Sequence, residues 1–506
     1  MSNYDIILPM NCYKGVPPMF FKRFKSLPFR VLVIIHIIVF SVASFSYLPV
    51  NAMTLEQHKE AAEARKLLPI ESNQIENWPP GPAIGAAAAI LIEANTGVIL
   101  YAKNIHEPQF PASTTKIMTC LLAIENANLN DIVTFSSTAV NSISWDSSKI
   151  GIKAGQSLTM EQALYASMVH SANDVTNGIA EFIAGDLESF AQMMTKRAEE
   201  LGAQNTNFTN SHGLFEEQHF STAYDLAKIS IAYFRNEMLA KIGNTLRYHI
   251  PPSDLQPEDI YMRNRHRLIN GDIPVDYKII GGKTGFVNMA RQTLITAAEK
   301  DGMRLICVIL RQESPDQFHD TVTLFDYGFS NFQIVNVANN ESRYSIDNAS
   351  FFQTGNDIFG DSSPLLALNP NDYLVMPRTT DFRSLAANIT YHTNRSSAVA
   401  EIIYTYNNAY LGTATIDFAS ENRSTYEFDQ NMPVAMPEPE VIEEDNVVFI
   451  NVRQTVFFVI ILASIVILFL IIRAAIKSYH FNRRRKRYRK KPVRRKSRDR
   501  FKGYYL

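Results

Sequence analysis

The sequence predicts an α+β domain, then a small all-β domain, then one C-terminal transmembrane helix, and three observations carry this reading. Between Ala83 and Phe332 helical and strand patterns are mixed: Pro111 suits the mouth of an apolar helix running to Ile124, while Gln292–Ala298 and Met303–Leu310 read as a strand hairpin about Asp301-Gly302, with Ile279–Phe286 on or beside a strand or a turn before that hairpin. From Gln333 to Glu427 the pattern changes to short apolar or alternating runs separated by Asn, Gly and Ser, an all-β signature. Thr455 to Ile472 then gives eighteen residues without a charge, about the minimum that crosses a bilayer.

The 506 residues, 46% hydrophobic and 20% charged, exceed one ordinary domain. A net charge of -1 hides an asymmetry: sixteen of the 49 Lys and Arg, against one of the 50 acids, follow from Arg473 onward, leaving 33 basic and 49 acidic residues before it. Of the three cysteines, Cys12 falls in a segment expected to be removed, and Cys120 and Cys307 sit in apolar runs as buried thiols, so no disulfide framework is expected.

Taken in order, residues 1–52 read as a signal peptide: Lys14, Lys22, Arg23, Lys25 and Arg30 precede an apolar stretch from Val31 to Phe40, and Val50-Asn51-Ala52 offers a small-residue cleavage site, with an uncleaved anchor as the alternative. Residues 53–82 form a polar arm ending in Trp78-Pro-Pro-Gly-Pro82. Ile84–Tyr101 reads as a hairpin turning at Glu93–Gly97, although its alanine run fits a helix as well. On the helix opened by Pro111, Ser113 and Lys116 are three residues apart and share a face, so hydroxyl and amine can touch. A lysine whose pKa is lowered by burial or a nearby cation can take a serine's proton, although Ser-x-x-Lys arises about once or twice by chance in a chain this long.

Thr159-Met-Glu-Gln162 is a capping box opening a helix to Val169. Ser171-Ala-Asn173-Asp174 breaks the apolar pattern before Val175–Ala184 resumes it, placing Ser171 and Asn173 on a short loop between helices; an ordinary capped junction is the plainer reading. Leu187–Leu201 is a further helix ending at Gly202, and Asn207–Asp225 is loop-like. His212 and His219 lie there without a cysteine or a ligand spacing beside them, so no metal is expected. Lys283-Thr284-Gly285, on or beside a strand, offers a cation and a hydroxyl to a carboxylate while glycines admit another chain.

Ser113-x-x-Lys116, Ser171-x-Asn173 and Lys283-Thr284-Gly285, in this order, resemble the penicillin-recognising serine acyl-transferases. Pro111-Ala-Ser-Thr-Thr-Lys-Ile-Met-Thr119, Ser171-Ala-Asn-Asp174 and His219-Phe-Ser-Thr-Ala-Tyr-Asp-Leu-Ala227 narrow this to the D-alanyl-D-alanine carboxypeptidases, the low-molecular-mass penicillin-binding proteins, over about Ala83–Phe332. The resemblance implies a β-lactamase/transpeptidase-like domain, an antiparallel sheet flanked by helices. It makes Ser113 the nucleophile, Lys116 its base, Ser171 a proton relay and Asn173 the group that orients Lys116. Lys283 and Thr284 would hold the substrate carboxylate, and the N–H groups of Ser113 and Phe286, beside Gly285, would form the oxyanion hole. No cofactor is implied. The partners are peptidoglycan stem peptides and β-lactam antibiotics. Ala172 departs from the glycine many relatives carry.

The domain plan is then a signal peptide (1–52), an arm (53–82), a serine D,D-carboxypeptidase domain (83–332), a β-rich domain (333–430), a linker (431–454), a transmembrane helix (455–472) and a basic tail (473–506). Arg473, Lys477 and Arg483–Lys491 mark the cytoplasmic side, so the enzyme domain is expected outside the cell membrane, with the tail attracting anionic lipid and no nucleic acid expected. A D,D-transpeptidase or endopeptidase is the nearest alternative activity. A β-lactamase and a catalytically idle wall-binding protein stand further off.

Overall fold

A computed structural model describes residues 53–343, 366–391 and 398–418; the expected signal peptide, linker, membrane span and basic tail lie outside the described residues. Among the described residues no helix is long and apolar enough to cross a membrane.

One hairpin and one three-stranded meander build the central sheet. Ala88–Glu93 (β1) folds back on Ile99–Lys103 (β2) with Ala89 opposite Lys103, as expected; the alanine run enters a strand because both sheet faces are covered. Lys278–Val287 (β3), Arg291–Lys300 (β4) and Met303–Gln312 (β5) follow as an antiparallel meander turning at Asp301-Gly302, where both residues take positive φ. The strand order is β2-β1-β5-β4-β3, with every neighbour antiparallel. Strand β3, carrying Lys283-Thr284-Gly285, is therefore an edge, free to meet an extended chain.

Period-two alternation sends Ile90, Ile92, Ile295, Ile306 and Val308 to one face and Leu91, Leu294, Leu305, Cys307 and Ile309 to the other. On the first face pack the helices Lys116–Asn126 (α1), Asn173–Ala184 (α2), Leu187–Glu200 (α3) and Ala223–Arg235 (α4), through Ile117, Leu121, Val175, Ile179, Met194 and Leu226. The second face is covered by Leu324 and Phe325 of Asp316–Asn331 (α5). Cys120 and Cys307 are buried free thiols.

The β-rich stretch forms strands close to those expected: Phe332–Asn336 (β6), Leu366–Leu368 (β7), Tyr373–Pro377 (β8), Ala386–Thr390 (β9), Ala398–Tyr406 (β10) and Ala409–Phe418 (β11). β6 pairs with β8, and β7-β11-β10-β9 form a second sheet. Strands β6 and β7 carry no sequence signal of their own; their pairing partners, 37 or more residues away, create them. Leu374, Tyr404, Leu411 and Ile416 belong to the same apolar cluster as Leu324 and Phe332, so this region and the back of the central sheet share one core.

The N-terminal arm is more ordered than its polarity suggests. Thr54 caps a helix at Leu55–Arg65 in a complete capping box with Gln57. The buried Lys103 amine donates to the carbonyls of Arg65 (2.8 Å) and Ile84 (2.7 Å), tying that helix to β2. Trp78 is 6% exposed, donates through Nε1 to the Leu100 carbonyl (3.0 Å) and meets the Phe332 ring at 5.1 Å. Replacing Trp78 by Ala removes that fill and leaves a cavity between arm, sheet and β6; we expect a loss of about 3–5 kcal/mol, read from denaturant unfolding.

Candidate active site

The chain enters the nucleophile region through strain. Ala112 sits at φ 50°, a left-handed conformation unfavourable for a residue with a Cβ, and Ala112–Thr115 form a 3-10 turn before α1 begins at Lys116. The expected α-helix from Ser113 is thus tightened in its first turn. The Pro111 carbonyl accepts from Thr114 Oγ1 (2.6 Å) and, across the fold, from Thr293 Oγ1 of β4 (2.9 Å), locking the turn to the sheet.

Lys116 is fully buried, and its Nζ lies 3.2 Å from Ser113 Oγ, 2.6 Å from Asn173 Oδ1 and 2.8 Å from the His212 carbonyl oxygen. Burial, and then the nearby Lys283 charge, push its pKa well below the ordinary amine value. A neutral amine has two N–H groups and one lone pair. The two carbonyl-type oxygens take the N–H groups, which leaves the lone pair facing the Ser113 hydroxyl. That arrangement is chemically able to work as a general base beside a nucleophile.

Asn173 reaches this point because the helix before it loosens into a π turn at Ala166–His170 and Ser171 adopts φ 63°, ψ 35°. Asn173 is the first residue of α2 and not the loop residue the sequence suggested, the helix starting two residues before Val175; its N–H donates to the Ser148 carbonyl (2.8 Å), and Ser148 Oγ donates to the His170 carbonyl (2.8 Å). The buried Asp174 carboxylate accepts from the N–H groups of Ile150 (3.3 Å) and Gly151 (3.0 Å), holding the 148–151 loop against the same turn. Ser171 remains half-buried beside Asn173.

On β3, Lys283 is 2% exposed and donates to the Thr284 carbonyl (2.7 Å); burial lowers its pKa to about 7, with Arg265 adding to the effect and Cys120 opposing it. A Cβ on Gly285 would stand 2.3 Å from Thr293 Oγ1 and 2.9 Å from Ser113 N, so a glycine is required for the strand to lie against the nucleophile's own amide. Thr284 is half-buried, and Phe286 is 48% exposed with the Arg291 guanidinium carbon 5.4 Å from its ring centre. Ser113, Lys116 and Asn173 are thus joined by hydrogen bonds. Gly285 adjoins the Ser113 amide, and Lys283 lies close enough for its charge to act on Lys116.

What motif reading left without a role is the 209–219 loop. It supplies the third oxygen around Lys116, from His212, and Gly213 at φ +83° passes so close to Ala112 that a Cβ would fall 1.8 Å from the Ala112 carbonyl oxygen. The two histidines are structural. His212 Nδ1 accepts from Leu214 N (3.1 Å); His219 Nδ1 accepts from Thr209 N (3.1 Å), so its proton sits on Nε2, 2.8 Å from Thr115 Oγ1. Burial lowers the His219 pKa to about 3, keeping the ring neutral. The signal for this loop was its His-Gly and Asn content, which marks tight backbone rather than chemistry. Among the described residues no group of three or more His, Cys, Asp or Glu could hold a metal ion.

Comparison with solved structures gives the class first. The chain is similar to penicillin-binding protein 6B from Escherichia coli (TM-score 0.51, 24% identity, covering 67% of this chain and 97% of that one) and to penicillin-binding protein 5 from Haemophilus influenzae (TM-score 0.53, 23% identity, 67% and 98%), so its fold is the transpeptidase-like α+β fold of the penicillin-binding proteins. In sequence, the family described as D-alanyl-D-alanine carboxypeptidase matches residues 74–314. The D-alanyl-D-alanine carboxypeptidase DacB2 of Mycobacterium tuberculosis is 31% identical over 260 residues, covering 50% of this chain and 84% of that protein. DacF of Bacillus subtilis is 35% identical over 251 residues, 49% of this chain but 63% of DacF, so the match spans less than two thirds of that relative. The chain belongs to the D-alanyl-D-alanine carboxypeptidase family, Peptidase S11.

Two outcomes follow from the geometry. Gly213→Ala forces a methyl into the Ala112 carbonyl at a positive φ; we expect a loss of at least about 1–3 kcal/mol in thermal unfolding and slower acylation of Ser113 in the fraction that folds. Ser113 acylation by a carboxylate-bearing substrate should rise with pH as Lys116 loses its proton and fall as Lys283 loses its own, through about 7. In Lys283→Arg, which stays charged, the alkaline fall in kcat/KM should move to higher pH while the acid limb stays in place.

Proposed function

We propose that the chain is a serine-type D-alanyl-D-alanine carboxypeptidase that removes the terminal D-alanine of peptidoglycan stem peptides through an acyl-enzyme on Ser113. One observation carries this reading: the buried Lys116 amine lies 3.2 Å from Ser113 Oγ while Asn173 Oδ1 and the His212 carbonyl hold it from the other sides. As Ser113 Oγ attacks the carbonyl carbon of the penultimate D-alanine, its proton passes to Lys116. The carbonyl oxygen becomes an oxyanion between the N–H groups of Ser113 and Phe286, a contribution of ~3–4 kcal/mol per donor; the close approach of Gly285 to Ser113 N supports that pairing.

Ser171 relays the proton to the departing amine, and the C–N bond breaks to release D-alanine. Lys283 and Thr284 hold the carboxylate of the leaving residue, with the edge strand β3 pairing alongside the extended peptide. Water, deprotonated by Lys116, then attacks the ester and frees Ser113. A β-lactam offers a strained amide to the same serine and forms the same kind of ester.

The reading extends to cell placement. The uncharged stretch 455–472 and the basic flank from Arg473 support a membrane anchor with the enzyme outside and the tail against anionic lipid. The β-rich region is read as a second domain that holds the site off the membrane or engages partners.

The test is mass spectrometry of the purified full chain after exposure to penicillin. A single covalent adduct mapping to Ser113, absent in Ser113→Ala, with D-alanine released from a pentapeptide by the wild type alone, is the expected result. No adduct on the wild type would overturn the assignment.

A further inference from the structure

We propose that Asn210 is a positioning residue for the catalytic base, fixing the plane of the His212–Gly213 peptide so that the His212 carbonyl faces Lys116. The inference rests on the reading of Lys116 as that base.

Asn210 is 8% exposed and touches neither Ser113 nor Lys116 by hydrogen bond; its amide is spent on its own loop. Oδ1 accepts from the N–H of Gly213 at 2.7 Å and that of His212 at 3.3 Å. Nδ2 donates to the Leu214 carbonyl (3.1 Å) and to Glu216 Oε1 (2.9 Å), with Thr209 Oγ1 at 3.5 Å. The first pair of partners can only donate and Leu214 O and Glu216 Oε1 only accept, so the amide has one orientation.

The Gly213 N–H and the His212 C=O belong to one planar trans peptide and point in opposite directions. Gripping the N–H from one side therefore aims the C=O to the other, where it meets Lys116 Nζ at 2.8 Å. Gly213 at φ +83° lets the backbone turn at that point. The neighbouring bonds, Thr119 Oγ1 to the Ser211 carbonyl (2.6 Å) and Ser211 Oγ to Asn177 Oδ1 (2.8 Å), anchor the loop to α1 and α2 but leave this peptide's plane to Asn210.

Without the His212 carbonyl, one Lys116 N–H loses its acceptor and is free to turn toward Ser113 Oγ, and the lone pair loses its direction. The ammonium form loses an acceptor too, so its pKa falls further. The other groups acting on Lys116 are Lys283 from β3, Asp174 from α2, Cys120 from its own helix, and the neutral rings of His212 and His219; Glu216 lies exposed on the far side of Asn210.

The experiment measures the acylation rate of the full chain by a fluorescent penicillin from weakly acid to alkaline pH, scaled to the fraction titratable by penicillin at completion. Asn210→Ala should lower the plateau by about tenfold or more and move the acid limb to lower pH. The double variant Asn210→Asp with Glu216→Gln keeps an acceptor on the Gly213 N–H, reverses the bond to position 216 and conserves net charge. It should restore most of the rate, with its acid limb shifted upward by the nearer carboxylate. A folded Asn210→Ala with an unmoved limb and an unchanged scaled rate overturns the inference. If that variant does not fold, the double variant decides: folded but as slow as predicted for the alanine variant, it also overturns it. A wild type that penicillin does not acylate fails the underlying reading instead, so the two failures are distinct.

Discussion

The structure depends on keeping one amine dry and aimed. Lys116 has no exposure, and a charge there is costly; burial pushes the amine's pKa well below its ordinary value, and two fixed oxygens take its N–H groups. Each oxygen comes from a different part of the fold. Asn173 arrives at the start of α2 after a π turn and a left-handed Ser171, and His212 arrives in a loop pressed against Ala112. Left-handed backbone at Ala112 and Ser171 lies on the two segments that bring Ser113 and Asn173 to Lys116, where surrounding packing and hydrogen bonds hold it in place.

The central sheet supplies the rigid reference. Its two faces are both covered, so the middles of β1, β4 and β5 are apolar, and Lys283-Thr284-Gly285 stands at the edge strand β3. Thr293 of β4 donates to the Pro111 carbonyl and Gly285 of β3 abuts Ser113 N, so the Ser113 turn and the edge strand share one framework. A site built from helix end, loop and strand edge keeps its spacing because each rests on that sheet.

Electrostatics divide labour between two buried lysines of the same ordinary basicity. Lys116, desolvated and facing a second cation, has its pKa pushed well below the ordinary amine value, which favours the form able to accept a proton. Lys283, with a pKa near 7, can still carry charge toward a carboxylate. The neutral rings of His212 and His219 add no competing charge, because burial and backbone N–H donors fix them as acceptors at Nδ1.

The sequence by itself determined what is local. The three-residue spacing of Ser113 and Lys116, the Thr159 capping box, the Asp301-Gly302 turn and the alternation of β4 and β5 are properties of neighbouring residues, and helix, cap and hairpin appear where those residues direct. The tertiary structure alone decided what depends on contacts between distant segments. It turned the first helical turn into 3-10, gave β6 and β7 their partners, ordered the polar arm through Lys103 and Trp78, and recruited Asn210, His212 and Gly213. A backbone carbonyl carries no residue-type signature, so His212's part in the site became visible only when folding brought a residue 96 positions along the chain back to Lys116.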